Sequence, residues 1–273
     1  MSARTTEWSY PYRTPLVFTI EGRERLRDGL VSAAQADTRI SAAALVGSAA
    51  LGSEDEWSDI DLALCIDAEA ERAAVIAEWT DWMNAEHAAI HHIDVARGET
   101  LYRVFLLADT LQVDLSFWPA TEFGPTGPGF RLLFGSITKE SRARAVTVDK
   151  ESPPPQPAAA ELIGMAWLYA LHARSSIARG RVRQGEYMIS GMRNHVLALA
   201  CLRHDLPTVH GRGFDRLPPE ATAPIEATLV RCLDVSELKR AFVSVTEALL
   251  GEAGRADPAL AGRLAGPLRK LAS

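Results

Sequence analysis

The chain has 273 residues, of which 47% are hydrophobic, and this is enough apolar material for one large domain or two small ones. Its formal net charge of −6 disfavours binding to long stretches of phosphate backbone, so nucleic acid is not expected as a partner, and an acidic surface would weakly favour cationic substrates. No apolar run approaches the roughly 18 residues of a membrane span, and the N-terminus lacks the apolar stretch of a signal peptide, so we expect a cytoplasmic protein without membrane partners.

The three cysteines, Cys65, Cys201 and Cys232, are scattered along the chain, and each is embedded in apolar sequence. An odd and widely spaced set of this kind gives neither a disulfide framework nor a Cys-x-x-Cys metal site. We expect all three to be small buried side chains.

Strand-like apolar runs and helical patterns alternate through the first half of the chain. The runs are AALVG at 43–47, DIDLALCI at 59–66, YRVFLLA at 102–108 and LQVDLSFW at 111–118. Their length and apolar content are typical of strands, and the helical patterns between them would cover the faces of a sheet. The first half is therefore predicted to be an α+β domain, with a mixed sheet flanked by helices.

The most informative stretch begins where the first apolar strand runs into Gly47-Ser48. A polar loop follows, and a second strand opens with Asp59-Ile60-Asp61. Because side chains alternate across a strand, Asp59 and Asp61 face one side, whereas Ile60 faces the core. Gly47 allows a phosphate to approach the backbone closely, and Ser48 offers a hydroxyl and an amide at the same turn.

A β-hairpin is predicted where the short polar break at 108–110 separates two apolar runs. In its second arm Val113 and Leu115 alternate with Asp114, so Asp114 faces away from the apolar side. If the two aspartate-bearing strands are neighbours, Asp114 shares an open face with the first carboxylate pair.

Three carboxylates on one sheet face repel one another, which either raises their pKa values or requires a cation. Hard oxygen ligands suit Mg²⁺, with Mn²⁺ as the alternative, and Mg²⁺ is usually completed by water and by substrate phosphates. Asp59, Asp61 and Asp114 are therefore predicted to hold a divalent metal at a phosphoryl-transfer site.

The proline-rich segment 149–158 is predicted to be an extended connector, and we place the domain boundary there, with domains 1–150 and 151–273. The second domain is predicted to be an all-α helical bundle, because almost no alternating runs follow the connector. Gly180 lies where the C-cap of its first helix is expected. Its helices are expected over 158–179, 182–204, 235–250 and 257–271.

Two other motifs are given structural interpretations. His87, His91 and His92 cluster in sequence but lack nearby thiols and His-Glu-x-x-His spacing, so a zinc site is not predicted. The glycine-rich segment 209–214 follows no strand and lacks the Gly-Lys-Ser/Thr ending of a P-loop. It is predicted to be a surface loop, with a position beside an acceptor pocket as the alternative.

Three sequence elements together carry a resemblance to a known family: Gly47-Ser48, Asp59-Ile60-Asp61 after ten intervening residues, and an isolated Val113-Asp114-Leu115. They resemble the polymerase-β-like nucleotidyltransferase superfamily. A catalytic domain followed by a helical one is similar to the aminoglycoside and lincosamide nucleotidyltransferases of antibiotic resistance. The resemblance implies that the three aspartates bind metal and that Ser48 contacts a triphosphate.

The resemblance implies an enzyme that uses Mg²⁺ or Mn²⁺ to move a nucleoside monophosphate from ATP or another nucleoside triphosphate onto a hydroxyl. A small acceptor is expected, with aminoglycoside- or lincosamide-type antibiotics as the leading candidates. One alternative is a toxin that modifies tRNA or protein, although the acidic charge argues against tRNA. Another is an inactive nucleotide-binding regulatory module, against which the intact carboxylate triad argues. The sequence determines neither the acceptor, the modified position, the nucleotide preference nor the oligomeric state.

One departure from the family concerns phosphate charge. The loop after the Gly-Ser pair often carries arginines in this family, whereas this chain has Ala49-Ala50-Leu51. The charge is therefore expected to come from the second domain. The candidates are Arg174, Arg179, Arg181, Arg183 and Arg193.

Glu186 and Arg193 lie on a polar stripe of the helix expected over 182–204, and this stripe is predicted to face the cleft between the domains. Glu186 is a candidate general base, with Asp114 as its rival. Arg193 is a candidate nucleotide contact, with a structural ion pair as the alternative.

Overall fold

The computed structural model describes residues 17–67, 70–125, 129–137 and 157–273. The strands are Ile40–Val46 (β1), Ile60–Ile66 (β2), Ala89–Arg97 (β3), Thr100–Leu107 (β4), Gln112–Pro119 (β5) and Phe130–Phe134 (β6). The helices are Ile20–Ala36 (α1), Gly47–Leu51 (α2), Arg72–Glu86 (α3), Ala159–Ala178 (α4), Val182–Arg203 (α5), Pro219–Glu226 (α6), Val235–Ala256 (α7) and Pro258–Ala272 (α8). The fold is therefore a sheet with helices, followed by a helical region, as predicted.

The six strands form one mixed sheet in the order β3-β4-β5-β2-β1-β6. β2 and β5 run parallel, whereas the other neighbouring pairs are antiparallel. β4 and β5 form the predicted hairpin, and Thr110 adopts a positive φ of 71° in its turn. The parallel pairing makes the two aspartate-bearing strands direct neighbours.

Local capping defines several helix ends. Thr19 caps α1 by accepting a hydrogen bond from Gly22, and Asp234 caps α7 in the same way. Asp257 ends α7 and its side chain caps α8, so one residue separates the two helices. Gly180 has a φ of +68° just after α4, a conformation that favours glycine and confirms the predicted helix end.

Apolar packing joins the sheet to the helical region. One core lies between the sheet and helices α1 and α3, and it contains Ile60, Leu62 and Leu115. A second core extends from Val104 on the sheet to Trp167 of α4 and onward through the helices. Burial at roughly 25 cal/mol per Å² of apolar surface makes such packing the main force that holds α4 beside the sheet.

The helices of the second half fall close to their predicted positions. α4, α5 and α8 begin or end within one or two residues of the expected bounds, whereas α7 extends six residues beyond its predicted end at 250. α6 was not predicted from the sequence, because it is only 8 residues long and contains Pro224. Most of the predicted connector lies outside the described residues, so the domain boundary stays a prediction.

Two further expectations are tested by the fold. Cys65 and Cys201 are buried as predicted, but Cys232 is exposed. The prediction was wrong for Cys232 because it lies on the loop before α7, where its apolar neighbour Leu233 is also exposed. In the part of the chain that is described, no helix is both long and apolar enough to span a membrane.

Candidate active site

The three predicted metal ligands come together on one face of the sheet. Asp61 of β2 lies opposite Asp114 of β5 in the parallel register, and Asp59 precedes β2. One ligand oxygen from each carboxylate lies within 4.8 Å of those of the other two. β2 begins at Ile60, so Asp59 is the last residue of the preceding loop, whereas the sequence predicted it as the first residue of the strand. The alternation is otherwise confirmed, because Ile60 is buried in the core.

The electrostatics of the carboxylates reflect their crowding. Burial raises the pKa of Asp61 to about 7, and the charges of Asp59 and Glu54 contribute to this increase. Burial also raises the pKa of Asp114 well above its usual value, with added repulsion from Asp61 and Asp59. The Gln112 amide opposes this effect by donating a 2.9 Å hydrogen bond to Asp114 Oδ1. A bound cation would relieve the repulsion and keep the carboxylates ionised.

Gly47 makes room for Asp61 at the end of β1. Its φ is +61°, and a Cβ at this position would lie against Asp61 Oδ2. The Gly47 amide donates to the carbonyl of Gly129 at 3.1 Å, which fixes the turn into the short helix α2. Glycine is therefore required here both by backbone conformation and by the space that the carboxylate occupies. Ser48 follows and lines the adjacent cleft.

The loop between α2 and β2 is tied down by a buried arginine. Arg23 of α1 is 2% exposed, and its Nη1 donates to the carbonyls of Asp55 and Ser58 at 2.5 and 3.1 Å. Within the loop, Asp55 Oδ1 accepts from the Trp57 amide at 2.9 Å. These contacts place Asp59, the next residue after Ser58, at a defined position.

A cleft of about 330 Å³ separates this loop from α4. The sheet side contributes Ser48, Ser53, Asp59 and Gln112. The helical side contributes Leu171, His172, Arg174, Ser175, Arg179 and Arg181. Three of the five arginines proposed from the sequence as sources of phosphate charge thus face the cleft that contains Asp59.

Arg174 is held between two aromatic rings. Its guanidinium carbon lies 5.5 Å from the ring centroid of Phe18 and 5.3 Å from that of Trp57. Its Nη1 donates to Thr110 Oγ1 at 3.2 Å, and its Nε has no partner among the described residues. Burial lowers the pKa of Arg174 to about 10, so the group stays charged at neutral pH. The site therefore holds a preorganised cation with an unused donor.

Arg179 crosses the cleft to the loop. Its Nε and Nη2 donate to the two carboxylate oxygens of Asp55 at 2.7 and 2.5 Å. This bidentate pair holds the pKa of Asp55 well below its usual range and raises that of Arg179. The two residues are 124 positions apart, so local sequence patterns gave no signal for the contact.

His172 is a cleft residue that the sequence analysis missed. Burial lowers the pKa of its imidazole, an effect that the charge of Asp59 opposes and that of Arg179 reinforces. The ring is therefore neutral at pH 7 and able to accept a proton. A single histidine on an amphipathic helix belongs to no recognisable motif, which is why the sequence did not reveal it.

The predicted polar stripe on α5 forms a hydrogen-bonded chain. Ser190 donates to Glu186 Oε1 at 2.5 Å and accepts from Arg193 Nη2 at 2.7 Å. Arg193 also donates to the carbonyl of Thr228 at 3.2 Å. Neither Glu186 nor Arg193 is among the described residues that line the cleft. The roles assigned to them from the sequence stay predictions.

The histidine cluster and the glycine-rich segment 209–214, both given structural interpretations from the sequence, do not line the cleft. His91 accepts a 3.0 Å hydrogen bond from Trp167 Nε1 at the boundary between the sheet and α4. Within the described ranges, the aspartate triad is the one group with three suitably placed metal-ligand side chains. The segment 209–214 borders a separate cavity with Asn194 and His195, and it does not line the cleft beside Asp59.

Comparison with known proteins gives a distant structural match. No family model matches the chain, and no curated protein sequence matches it. Among solved structures, the chain is similar to an aminoglycoside 6-adenyltransferase from Bacillus subtilis at 15% identity, with a TM-score of 0.29. The match covers 93% of this chain and 92% of that one. At this identity and TM-score, the likeness carries no conclusion about substrate or activity.

Proposed function

We propose that this chain is a metal-dependent nucleotidyltransferase that moves a nucleoside monophosphate, with AMP from ATP as the leading case, onto a hydroxyl of a small acceptor. The observation that carries the proposal is the pairing of Asp61 with Asp114, with Asp59 beside them, within 4.8 Å. Placing three such groups together raises their repulsion. A divalent cation held by these three carboxylates would relieve it and would also attract a triphosphate.

The residues present fit Mg²⁺ or Mn²⁺. The candidate ligands Asp59, Asp61 and Asp114 offer only carboxylate oxygens, which these hard cations prefer. A Cβ at Gly47 would fill the space beside Asp61, so the absence of a side chain keeps the carboxylate group accessible. When bound, such an ion would polarise the α-phosphate and lower the pKa of the attacking hydroxyl.

The chain itself supplies phosphate contacts from both sides of the cleft. Ser48 offers its hydroxyl on the sheet side. Arg174, Arg179 and Arg181 face it from the helical side, where they would offset the negative charge of the triphosphate and of the departing pyrophosphate. This distribution meets the phosphate charge that the arginine-free loop 49–51 does not provide. Arg193 stays a proposed further contact from α5.

A general base must take the proton of the acceptor hydroxyl. Asp114 and Glu186 are the candidates from the sequence, and His172 is added by the structure. His172 lines the cleft beside Asp59 and is neutral at pH 7, so we favour it over Glu186, whose carboxylate is bonded to Ser190. A variant with His172→Gln should lose the acidic limb of the pH–kcat profile while still binding nucleotide.

The charges in the cleft bear on the class of acceptor. Of the carboxylates in the described lining, Asp59 is assigned to the metal and Asp55 is paired with Arg179. A polycationic acceptor would therefore find no free carboxylate in the described lining of the cleft, despite the acidic charge of the whole chain. Between the two antibiotic types, the local charges favour a lincosamide-type acceptor with few positive charges over an aminoglycoside.

One assay separates this proposal from its rivals. Labelled ATP and Mg²⁺ are incubated with the protein and with, in turn, lincosamides, aminoglycosides, tRNA and a protein extract. Label on a small acceptor, lost in the Asp61→Asn variant, is the expected result. Label on tRNA or protein would favour the toxin alternative, and nucleotide binding without transfer to any acceptor would favour a regulatory module.

A further inference from the structure

Asp55 links the two sides of the cleft, although it is neither one of the three candidate metal ligands nor part of the helical side that carries the arginines. On one side its carboxylate is held by Nε and Nη2 of Arg179, the residue that caps the C-terminal end of α4. On the other side it bonds to Ser58, which directly precedes Asp59. One side chain thus connects the helix that carries the arginines to the segment that carries a proposed metal ligand.

Ser58 is held by Asp55 at three points. The Asp55 amide donates to Ser58 Oγ at 2.9 Å, and Ser58 Oγ lies 3.1 Å from Asp55 Oδ1. The Ser58 amide donates to the Asp55 carbonyl at 3.2 Å. Ser58 is only 4% exposed, so water cannot easily replace these partners. A shift of Asp55 is therefore transmitted to Asp59, which is the next residue along the chain.

Arg179 transmits the same constraint to the opposite wall. It follows the last turn of α4, the helix that presents His172 and Arg174 to the cleft. The Asp55 and Arg179 side chains are 44% and 23% exposed. An ion pair at this exposure contributes little to global stability, but its bidentate geometry fixes orientation closely. The expected consequence of the pair is therefore alignment and not folding.

We infer that Asp55 is a positioning residue for nucleotidyl transfer, which acts through Ser58 and Arg179 to fix the spacing between Asp59 and the arginine-bearing end of α4. This inference rests on the proposed function. A triphosphate that bridges the metal ligands and the arginines requires both walls at a fixed separation. Loss of the link should therefore slow transfer more than it weakens nucleotide binding, since misplacement by about 1 Å can cost about 100-fold in rate.

The chain contains a matched control pair. Asp94 accepts a bidentate contact from Arg103 Nε and Nη2 at 2.7 Å each, and its side chain is 42% exposed. This pair links β3 to β4 away from the cleft residues. Asp55→Asn and Asp94→Asn therefore remove the same charge from pairs of the same geometry and similar exposure, and they differ in whether the cleft is linked.

Steady-state kinetics on the full chain, with MgATP and the acceptor that the labelling assay identifies, test the inference. Asp55→Asn should lower kcat about 10- to 100-fold while the KM for ATP changes less than about threefold, and Asp94→Asn should change neither. Ser58→Ala keeps the Arg179 pair and should give a smaller loss of kcat in the same direction. Hydrogen exchange should accelerate at 55–59 in both Asp55→Asn and Ser58→Ala, at 179–181 in Asp55→Asn alone, and at neither segment in Asp94→Asn.

Three results would overturn the positioning role while the wild-type protein remains active. These are an unchanged kcat in Asp55→Asn, an effect on the KM for ATP alone, or an equal loss of kcat in Asp94→Asn. Unaltered exchange at 55–59 would also count against it. Absence of transfer by the wild-type protein with every acceptor would instead overturn the proposed function, and the positioning role would fall with it.

Discussion

The two walls of the cleft are held in place by different forces. On the sheet side, the lining residue Asp59 lies beside Asp61 and Asp114, which backbone pairing sets opposite each other and whose carboxylates repel one another. On the helical side, Arg174 and Arg179 are held by side-chain contacts with aromatic rings, a hydroxyl and a carboxylate. The sheet side is thus set by backbone pairing but carries repelling charges. On the helical side, Asp55 stabilises the charge of Arg179, whereas burial partly destabilises that of Arg174.

This difference determines how each wall should respond to substitution. Changes at the sheet wall alter charge or space at a position that the backbone fixes, so function should suffer more than folding. Changes at the helical wall remove a cation together with the contacts that hold it, so binding and stability should change together.

The largest effect is expected for Asp61→Asn, which is nearly isosteric but removes a charge needed by the metal. Transfer should fall below detection, while the fold and the register of β2 with β5 are kept. Stability of the free protein at pH 8 should rise by roughly 1–3 kcal/mol, because the variant no longer ionises a group whose pKa the fold raises. Turnover with MgATP and urea unfolding measure the two effects. Near-normal turnover would show that the metal site is wrongly assigned.

Gly47→Ala tests the space beside the carboxylates. A Cβ there would meet Asp61 Oδ2 and would also require alanine at a φ of +61°. We expect a loss of about 1–3 kcal/mol in stability and of about 10- to 100-fold in transfer rate. Gly52→Ala is the control, because Gly52 has a φ of +64° but a Cβ added there would meet no heavy atom within 4 Å. The Gly52→Ala variant should lose stability and keep its activity. If both variants lost activity equally, glycine would be needed at position 47 only for its backbone conformation and not for the space beside Asp61.

On the helical wall, Arg174→Ala should weaken binding of ATP by on the order of 1–3 kcal/mol, as expected for loss of a charge-assisted hydrogen bond. Arg174→Lys should keep only part of the ATP affinity, because lysine lacks the planar fork of the guanidinium. Arg193→Ala is the comparison, since its contacts to Ser190 and Thr228 lie within the helical half. It should lower Tm with a smaller change in ATP affinity. Calorimetric titration with ATP measures the affinity of both variants. An equal loss of affinity in Arg193→Ala would support the nucleotide contact predicted from the sequence.

The stability of the free protein should also depend on pH, with no effect on transfer required. The pKa of Asp61 is about 7 in the folded state against 3.8 for the ordinary group, so the folded state binds the proton more tightly. Stability should therefore fall as the pH rises from about 4 to about 7, by roughly 1–3 kcal/mol from this group. Urea unfolding in EDTA measures the slope, which Asp61→Asn should reduce. A slope unchanged in the variant would assign it to other groups.

The amino-acid sequence alone was enough to predict four of the six strands, the four long helices of the second half and the carboxylate group of the candidate site. Period-two alternation placed Asp59, Asp61 and Asp114 on one face, and periodic apolar residues located α4, α5, α7 and α8. Both signals are local, because the direction of a side chain follows from its position along a strand or helix. The sequence did not show that β2 and β5 are adjacent strands of the sheet, and this had to be assumed.

Only the packing of the helices against the sheet shows which side chains of the helical half line the cleft. Apolar packing between the sheet and α4 brings His172, Arg174 and Arg179 to the cleft, whereas Glu186 and Arg193 on α5 both bond to Ser190 within the helices. Arg174 on α4 and Arg193 on α5 were both candidates from the sequence, and no local pattern distinguished them. The choice depends on how two apolar faces dock over a long sequence separation, and no local pattern encodes that docking.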